Sequence, residues 1–265
     1  MRFKYIASGS NGNSAYVGSD TTSLLVDTGI TAKRISDILS ADDISMNDID
    51  GILITHEHID HIKGLGVISR KYNIPIYATY GTIDGILKCT SLGTFDYNLF
   101  QPISNSDSFN IGDITISAHS ISHDRPDPVC YSFQCNGKKC AIATDMGTYD
   151  NFTIDFLKDS DVMLIEANHD IRMLEAGPYP YILKKRILGD RGHLCNEMSG
   201  KLIRELLNDH IKGIWLGHLS EQNNFEELAF ATVKSELEGN PYTDDVRDFG
   251  LEVSSRTMPG RLVEF

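Results

Sequence analysis

The sequence lacks most features that mark secreted or membrane-spanning proteins. It has five cysteines in 265 residues, an odd number without any Cys-x-x-Cys pair, so we expect a reducing compartment and no disulfide framework. No apolar run approaches the length of a membrane span, and the N-terminal residues contain no apolar signal-peptide core. These absences predict a soluble protein of the cytoplasm with no membrane partner.

Positive charge is also scarce. Lysine and arginine number 24 against 37 aspartates and glutamates, which gives a formal net charge of -13 at pH 7. This balance excludes the broad basic surface of a non-specific nucleic-acid binder. It does not exclude a nucleic-acid substrate, because bound divalent cations would make the local field positive.

The order of predicted elements is strand-rich with interspersed helices, and it shows no repeat or linker. We therefore expect a single domain over residues 1–265, in which sheets carry helices on their outer faces. The strongest hairpin signal joins Val129–Gln134 to Lys138–Thr144 through Asn136-Gly137. The stretch Ser91–Asp107 has weak periodicity and is predicted to be a loop.

The strongest chemical signal is a His-x-His-x-Asp-His motif after an apolar strand, Gly51–Ile54. It contains His56, His58, Asp60 and His61. Imidazole suits zinc, iron, copper or nickel, and the carboxylate adds a hard oxygen ligand. Four such groups cannot all reach one ion, so we expect the first two to bind one metal and the last two a neighbouring metal. A surface loop with accidental histidines is the disfavoured alternative.

Further ligands are expected where other apolar strands end. His123, Asp145 and His218 each follow such a strand, and about three protein ligands per ion suffice at a catalytic site. His119 competes with His123, but it should still lie within its strand. Asp27 also ends a strand. It could be a turn residue, or it could hold a ligand histidine in one tautomer.

Taken together, these motifs resemble those of the metallo-β-lactamase superfamily over nearly the whole chain. The resemblance implies an α+β fold, an αββα four-layer sandwich of two mixed β-sheets with a dinuclear site at one edge. Within the superfamily the chain is most similar to the YycJ/WalJ group, described as DNA exonucleases related to tRNase Z and RNase J. The motifs behind this similarity are Ser8-Gly9-Ser10-x-Gly12-Asn13, His123-Asp124, Glu166-Ala167-Asn168-His169-Asp170, Gly192-His193-Leu194 and Gly217-His218-Leu219-Ser220. One departure is Cys195, where the group has serine, which puts a hydroxyl contact in doubt.

The resemblance also implies a ligand set for two divalent ions, which could be zinc, manganese or iron. One ion would be held by His56, His58 and His123, and the other by Asp60, His61 and His218. Asp145 would bridge them together with a water or hydroxide. Such a pair of cations lowers the pKa of the water and clamps an in-line displacement at phosphorus.

Asp60, His193 and Glu166 are the predicted catalytic residues. In tRNase Z-like enzymes a histidine and a glutamate act as a proton relay, so His193 would assist the leaving group and Glu166 would orient it. The alternative is that His193 only fills a turn; the functional role is favoured because Gly192 would leave backbone room for a ligand. The expected substrate contacts are Ser10, Asn13, Asn168 and His169.

The leading hypothesis is a dinuclear metal-dependent phosphodiesterase, namely a DNA exonuclease. A phosphodiesterase acting on small molecules such as cyclic phosphates is the alternative within the same chemistry, and the acidic net charge favours it mildly. A metal-bound regulatory protein without turnover is the alternative from another class. The presence of every expected ligand argues against it.

Overall fold

Two seven-stranded sheets form the centre of the protein in a computed structural model that describes residues 1–265. The first sheet has the strand order β14-β1-β2-β3-β4-β5-β6. Its strands from β1 to β3 pair antiparallel, and those from β3 to β6 pair parallel. Its strands are β1 (Arg2–Ala7), β2 (Ser14–Gly18), β3 (Ser23–Val26), β4 (Gly51–Leu53), β5 (Ile76–Thr79), β6 (Phe100–Ile103) and β14 (Val263–Glu264).

The second sheet repeats this arrangement with the order β13-β12-β11-β10-β9-β8-β7. Its strands from β7 to β10 pair antiparallel and those from β10 to β13 parallel, so both sheets are mixed. Its strands are β7 (Ser108–Ile111), β8 (Ile114–Ser120), β9 (Val129–Cys135), β10 (Lys138–Ala143), β11 (Val162–Glu166), β12 (Gly213–Gly217) and β13 (Leu251–Val253).

Nine α-helices and four short 3-10 helices connect the strands. The α-helices are α1 (Ala32–Ser40), α2 (Ile59–Ile62), α3 (Leu65–Tyr72), α4 (Tyr80–Lys88), α5 (Asn151–Leu157), α6 (Ile171–Ala176), α7 (Tyr181–Ile187), α8 (Asn196–Leu206) and α9 (Glu226–Leu237). The 3-10 helices are Met46–Asp48, Thr90–Leu92, Tyr97–Leu99 and Val246–Phe249. None of the helices combines the length and the apolar character that crossing a bilayer requires.

Three apolar layers hold the elements together. The layer between the two sheets includes Phe3 and Trp215, whose rings lie 5.2 Å apart. A second layer packs α1, α3 and α4 against the first sheet, and a third packs α8 and α9 against the second sheet. Fully burying one large aliphatic or aromatic side chain contributes roughly 1.5–3 kcal/mol. The predicted four-layer αββα sandwich is therefore confirmed.

Local predictions are confirmed where the sequence signal is strong. The hairpin between β9 and β10 turns at Asn136 and Gly137, both with positive φ (52° and 75°), as a tight two-residue turn requires. The predicted loop Ser91–Asp107 is wrong in part, because it contains β6 and two 3-10 helices. Strand β6 lies at the edge of its sheet and includes Pro102, so its sequence lacks the pattern of a central strand.

Candidate metal centre

Five strands deliver polar side chains to one edge of the sandwich. Asp27 follows β3, His56 follows β4, Asp145 follows β10, Glu166 ends β11, and His218 follows β12. Parallel strands place their carboxyl ends at the same edge of a sheet, which is where such folds build sites. Asp27, Asp145 and His218 have positive φ values of 57°, 62° and 56°. Non-glycine residues seldom adopt this conformation, and it turns the chain sharply as each strand ends.

The first group of donors consists of three histidines. Nε2 of His56 lies 2.9 Å from Nδ1 of His58, and Nε2 of His123 lies 3.1 Å from the same atom. The donor atoms of the three lie within 4.8 Å of one another. The other ring nitrogen of His123 lies 3.2 Å from the carbonyl oxygen of Gly192. A hydrogen bond there fixes the tautomer of His123 and leaves Nε2 free to bind a metal.

The second group consists of Asp60, His61 and His218. Oδ2 of Asp60 lies 3.7 Å from Nε2 of His61 and 3.6 Å from Nε2 of His218. Asp27 contacts this group through His61, whose Nδ1 donates to Oδ2 of Asp27 over 2.8 Å. Thr55 donates its amide and its hydroxyl to the same carboxylate, at 2.9 and 2.8 Å. Asp27 thus makes the contact expected of a residue that orients a ligand histidine.

Asp145 lies between the two groups. Its Oδ1 is 3.8 Å from Nε2 of His123 and 3.5 Å from Nε2 of His218, and its Oδ2 is 3.2 Å from Nε2 of His61. Oδ2 of Asp145 and Nε2 of His218 are buried yet make no hydrogen bond. Buried polar atoms left without partners are costly unless something else satisfies them. Imidazoles and carboxylates converging around such atoms fit divalent metal ions.

Burial and neighbouring charges shift the pKa values of the clustered histidines in opposite directions. Burial, and then the charge of His61, hold the pKa of His56 well below its usual value. Burial opposes charge on His61 as well, but Asp27 and Asp145 outweigh it and hold its pKa well above the usual value. Burial also lowers the pKa of His218, but Asp145, Asp60 and Glu166 outweigh burial and raise this pKa to about 10. The cluster thus stabilises positive charge, which divalent cations can supply in place of protons.

Glu166 is fully buried and connects the donors to a neighbouring histidine. Its Oε1 accepts from Nδ1 of His193 at 2.8 Å and from Nδ1 of His218 at 2.9 Å. Its Oε2 accepts from the amides of Met146 and Leu194 at 2.8 and 3.2 Å. Burial would raise the pKa of this carboxyl, but the two histidines outweigh burial and lower it to about 2. Glu166 is therefore an ionised acceptor with all its positions used.

His193 lies on the wall of an open cavity of about 260 Å³ in front of the donor groups. Its ring centroid is 5.3 Å from that of His123 and 5.2 Å from that of His218. Gly192 also lines this cavity, so its backbone borders the space expected for a ligand. A Cβ there would lie 2.1 Å from the carbonyl oxygen of Ile187, so this glycine is required by close backbone packing.

The predicted substrate contacts fall into two sets. Ser10 and Asn168 line the cavity, and Asn168 also donates to the carbonyl of His218 over 2.9 Å. Asn13 is buried, and its Nδ2 lies 3.0 Å from Nε2 of His61. His169 is 1% exposed and is absent from the cavity wall. The geometry supports substrate contact for the first pair and a structural role for the second.

The structure also answers two questions that the sequence leaves open, namely the roles of His119 and Cys195. His119 lies within β8, 3.4 Å from Oγ1 of Thr153 and stacked on the ring of Phe156, so it is outside the donor groups. Cys195 precedes α8 and makes no side-chain capping bond. A serine there could have capped the helix. The presence of Cys195 in place of serine therefore affects the start of α8 and leaves the donor groups intact.

Sequence reasoning missed several residues that surround the site. Oδ1 of Asp124 lies 3.3 Å from Nε2 of His58, and Thr55 contacts Asp27 and two histidines. Asp124 could have been found from its place beside His123. Other missed residues of the cavity wall come from the segment around α7, namely Tyr179, Leu183, Arg186, Ile187 and Arg191. That segment carries no site-like spacing, so only the fold reveals its position.

The same architecture occurs in a known class of proteins. The crystal structure of the metallo-beta-lactamase fold protein YhfI from Bacillus subtilis is similar to this chain with a TM-score of 0.68 at 15% identity. The match covers 99% of this chain and 98% of that chain. Two mixed sheets between helical layers, with imidazoles and carboxylates at one edge, define a protein of the metallo-β-lactamase fold.

Sequence comparison then identifies the family. The model described as "Beta-lactamase superfamily domain" matches residues 22–207. "Exodeoxyribonuclease YycJ" of Bacillus anthracis is 39% identical over 238 residues, which are 90% of this chain and 89% of that protein. "Exodeoxyribonuclease WalJ" of Streptococcus pneumoniae serotype 2 is 40% identical over 237 residues, 89% and 88% of the two chains. The chain belongs to the β-lactamase superfamily and is a metal-dependent hydrolase, as the sequence motifs predict.

Proposed function

We propose that this hydrolase is a dinuclear phosphodiesterase that degrades DNA as an exonuclease. The observation that carries the proposal is the position of Asp145, whose two carboxylate oxygens approach donors of both groups. A carboxylate between two three-donor groups suits a bridging ligand of paired cations. The two relatives named as exodeoxyribonucleases support DNA as the substrate, since each is similar over about nine tenths of this chain.

The two donor groups would each hold one cation. His56, His58 and His123 offer three imidazoles, and the second group offers Asp60 with His61 and His218. When bound, a pair of divalent cations polarises a phosphodiester and supplies a water of lowered pKa. The chain's own contribution is to hold these donors in one tautomer, through Asp27 on one side of the site and Glu166 on the other.

His193 would transfer a proton to the leaving oxygen. Its Nδ1 is held by Oε1 of Glu166 at 2.8 Å, so Nε2 is the nitrogen available to a substrate in the cavity. An ionised Glu166 stabilises the imidazolium that donates this proton, and it also keeps the ring in place. Ser10 and Asn168 line the same cavity and would contact the phosphodiester or its sugar.

The test is hydrolysis of end-labelled single-stranded and double-stranded DNA by the full chain loaded with manganese or zinc. We expect products released from one end, and an Asp60→Ala variant that loses both metal and activity. Metal analysis should give about two ions per chain for a paired site. A chain that is fully loaded but cleaves neither DNA would contradict the proposal.

A small phosphodiester is the second candidate substrate. The net charge of -13 and a cavity of about 260 Å³ favour it, because a long polyanion needs an extended basic track. The two candidates differ in salt dependence, since only a polyanion releases many counterions on binding. Turnover of bis(4-nitrophenyl) phosphate and of DNA should therefore be compared over a range of salt concentrations.

We also propose that residues 1–265 act as one domain in the cytoplasm. All five cysteines are free, although Cys130, Cys135 and Cys140 lie on adjacent strands of one sheet. Unpaired cysteines suit a reducing compartment. Fractionation of cells that express the tagged chain would test the location.

A further inference from the structure

Helix α7 differs from every other α-helix of the chain because it has no buried residue. Core packing therefore does not set its position. Polar contacts hold it instead: the amide of His193 donates to the carbonyl of Ile187 over 3.1 Å, and Nζ of Lys184 donates to the carbonyl of Glu175 over 2.6 Å. A helix without buried residues gains little from the hydrophobic effect, so its sequence is free to serve another purpose.

One face of this segment forms a wall of the catalytic cavity. Tyr179, Leu183 and Arg186 recur at helical spacing and all line that cavity. Arg186 donates to Asp124, the residue directly after His123. Arg191, beyond the helix, donates to the carbonyl of His123 over 2.9 Å. The segment is thus fixed directly beside the donor groups.

A second face of α7 shares no residue with the cavity wall and is apolar and aromatic as well as basic. Tyr181 is 76% exposed and Ile182 is 82% exposed. A surface depression on this side is lined by Tyr181, Lys184, Lys185 and Leu188, together with Glu175 and Gly189. Large side chains exposed this far contribute little to folding, and a contiguous group of them marks an interaction surface.

The segment also concentrates positive charge in an acidic protein. Between Gly177 and Arg191 there are four basic residues and one acidic residue, a net charge of +3, whereas the whole chain has -13. Lys184, Lys185 and Arg186 lie in the last turn of α7, where cations also stabilise the helix dipole. That stabilisation accounts for their charge but not for the exposed Tyr181.

We propose that α7 and its flanking residues form a docking surface for single-stranded nucleic acid and lead the strand into the cavity. This inference rests on the proposed nuclease function and names the part of the surface that holds the substrate. Lys184 and Lys185 neutralise phosphates, and Tyr181 stacks on a base. A duplex hides the faces of its bases, so aromatic stacking selects the single strand.

Binding to the metal-loaded full chain tests the role of the lysines. The probe is a fluorescently labelled, phosphorothioate-linked oligodeoxythymidylate of ~12 nucleotides, followed by anisotropy at several salt concentrations. Joint Lys184→Gln and Lys185→Gln substitution should weaken binding. It should also reduce the slope of log K against log salt by about 1.4, because each phosphate contact on a single strand contributes about 0.7. An unchanged affinity and slope would overturn the proposal.

A second variant tests stacking independently of charge. Tyr181→Ala should weaken binding about five- to 150-fold without changing the salt slope, and Tyr181→Phe should retain the affinity. Melting temperatures of the two Tyr181 variants should equal that of the unsubstituted chain, since this side chain is 76% exposed. Equal binding by Tyr181→Ala and the unsubstituted chain would remove the stacking role and, with it, the preference for a single strand.

The matched control replaces Lys33 on α1 and Lys201 on α8, two exposed lysines, by glutamine. It changes the net charge by the same amount and should leave affinity and slope unchanged. A loss equal to that of the α7 pair, or equally tight binding of a duplex of the same length, would overturn the proposal. The proposed function fails differently: the unsubstituted, metal-loaded chain would then hydrolyse neither single-stranded nor double-stranded DNA.

Discussion

His193 and His218 share one oxygen atom of Glu166, at 2.8 and 2.9 Å from their Nδ1 atoms. His218 belongs to the second donor group, and both histidines line the cavity. A single buried carboxylate therefore sets the tautomer of a predicted metal ligand and of a predicted proton donor. Changes at Glu166 should affect metal binding and proton transfer together, whereas changes at His193 should affect proton transfer alone.

Glu166→Gln should lower both metal affinity and turnover. Oε2 accepts from the amides of Met146 and Leu194, so the amide oxygen of glutamine will take that place and its NH₂ group will face the histidines. Nδ1 of His218 must then accept, which moves the proton to Nε2 and blocks that nitrogen as a ligand. We expect a loss of about 10–100-fold in metal affinity, measured by chelator competition. Full metal affinity in this variant would contradict the proposed role of Glu166.

His193→Ala should separate catalysis from metal binding. Loss of a general acid typically costs about 10²–10⁴-fold in kcat, and we expect that loss for DNA with the metal content unchanged. Bis(4-nitrophenyl) phosphate should be affected far less, because 4-nitrophenolate leaves without a proton. His210→Ala, at an exposed position, is the control. An equal loss for both substrates would assign His193 to substrate binding or structure.

Substitutions of His123 and His119, which lie four residues apart in the chain, form a matched pair. His123→Asn removes a donor from the first group and should reduce the metal content and abolish most activity. His119→Asn loses the contact with Thr153 and the stacking on Phe156 and should cost about 1–3 kcal/mol of stability, with metal content unchanged. Mass spectrometry of the native proteins gives the metal content. Metal loss from the His119 variant would reverse the assignment.

Asp27→Asn should weaken one of the two cation sites. Asparagine tolerates the positive φ of 57° at this position, so the backbone can stay in place. The backbone amide of Thr55 and Nδ1 of His61 donate to different oxygens of the carboxylate, and the single amide oxygen of asparagine cannot accept from both. We expect a loss of about 10–100-fold in affinity for the ion at the second donor group, detected by metal titration. Asp209→Asn, at an exposed carboxylate, should leave the titration unchanged.

Several site residues could be recognised from the sequence because the signal is local. His56, His58, Asp60 and His61 fall on one turn after an apolar strand, and the structure brings them together. His123, Asp145 and His218 could be selected because each follows a strand, and side chains at strand ends reach the same edge. Strand β6 could not be recognised, because an edge strand that includes Pro102 shows no alternation.

The sequence by itself determined most of the strands and helices, β6 excepted, and which imidazoles and carboxylates end those strands, because these depend on local periodicity and turn residues. Only the tertiary structure decided that Glu166 serves two histidines, that Asn13 and His169 are buried, and that α7 stands beside the cavity. Those relationships join residues far apart in the chain. Their distances depend on how two sheets pack face to face, and no local pattern encodes that packing.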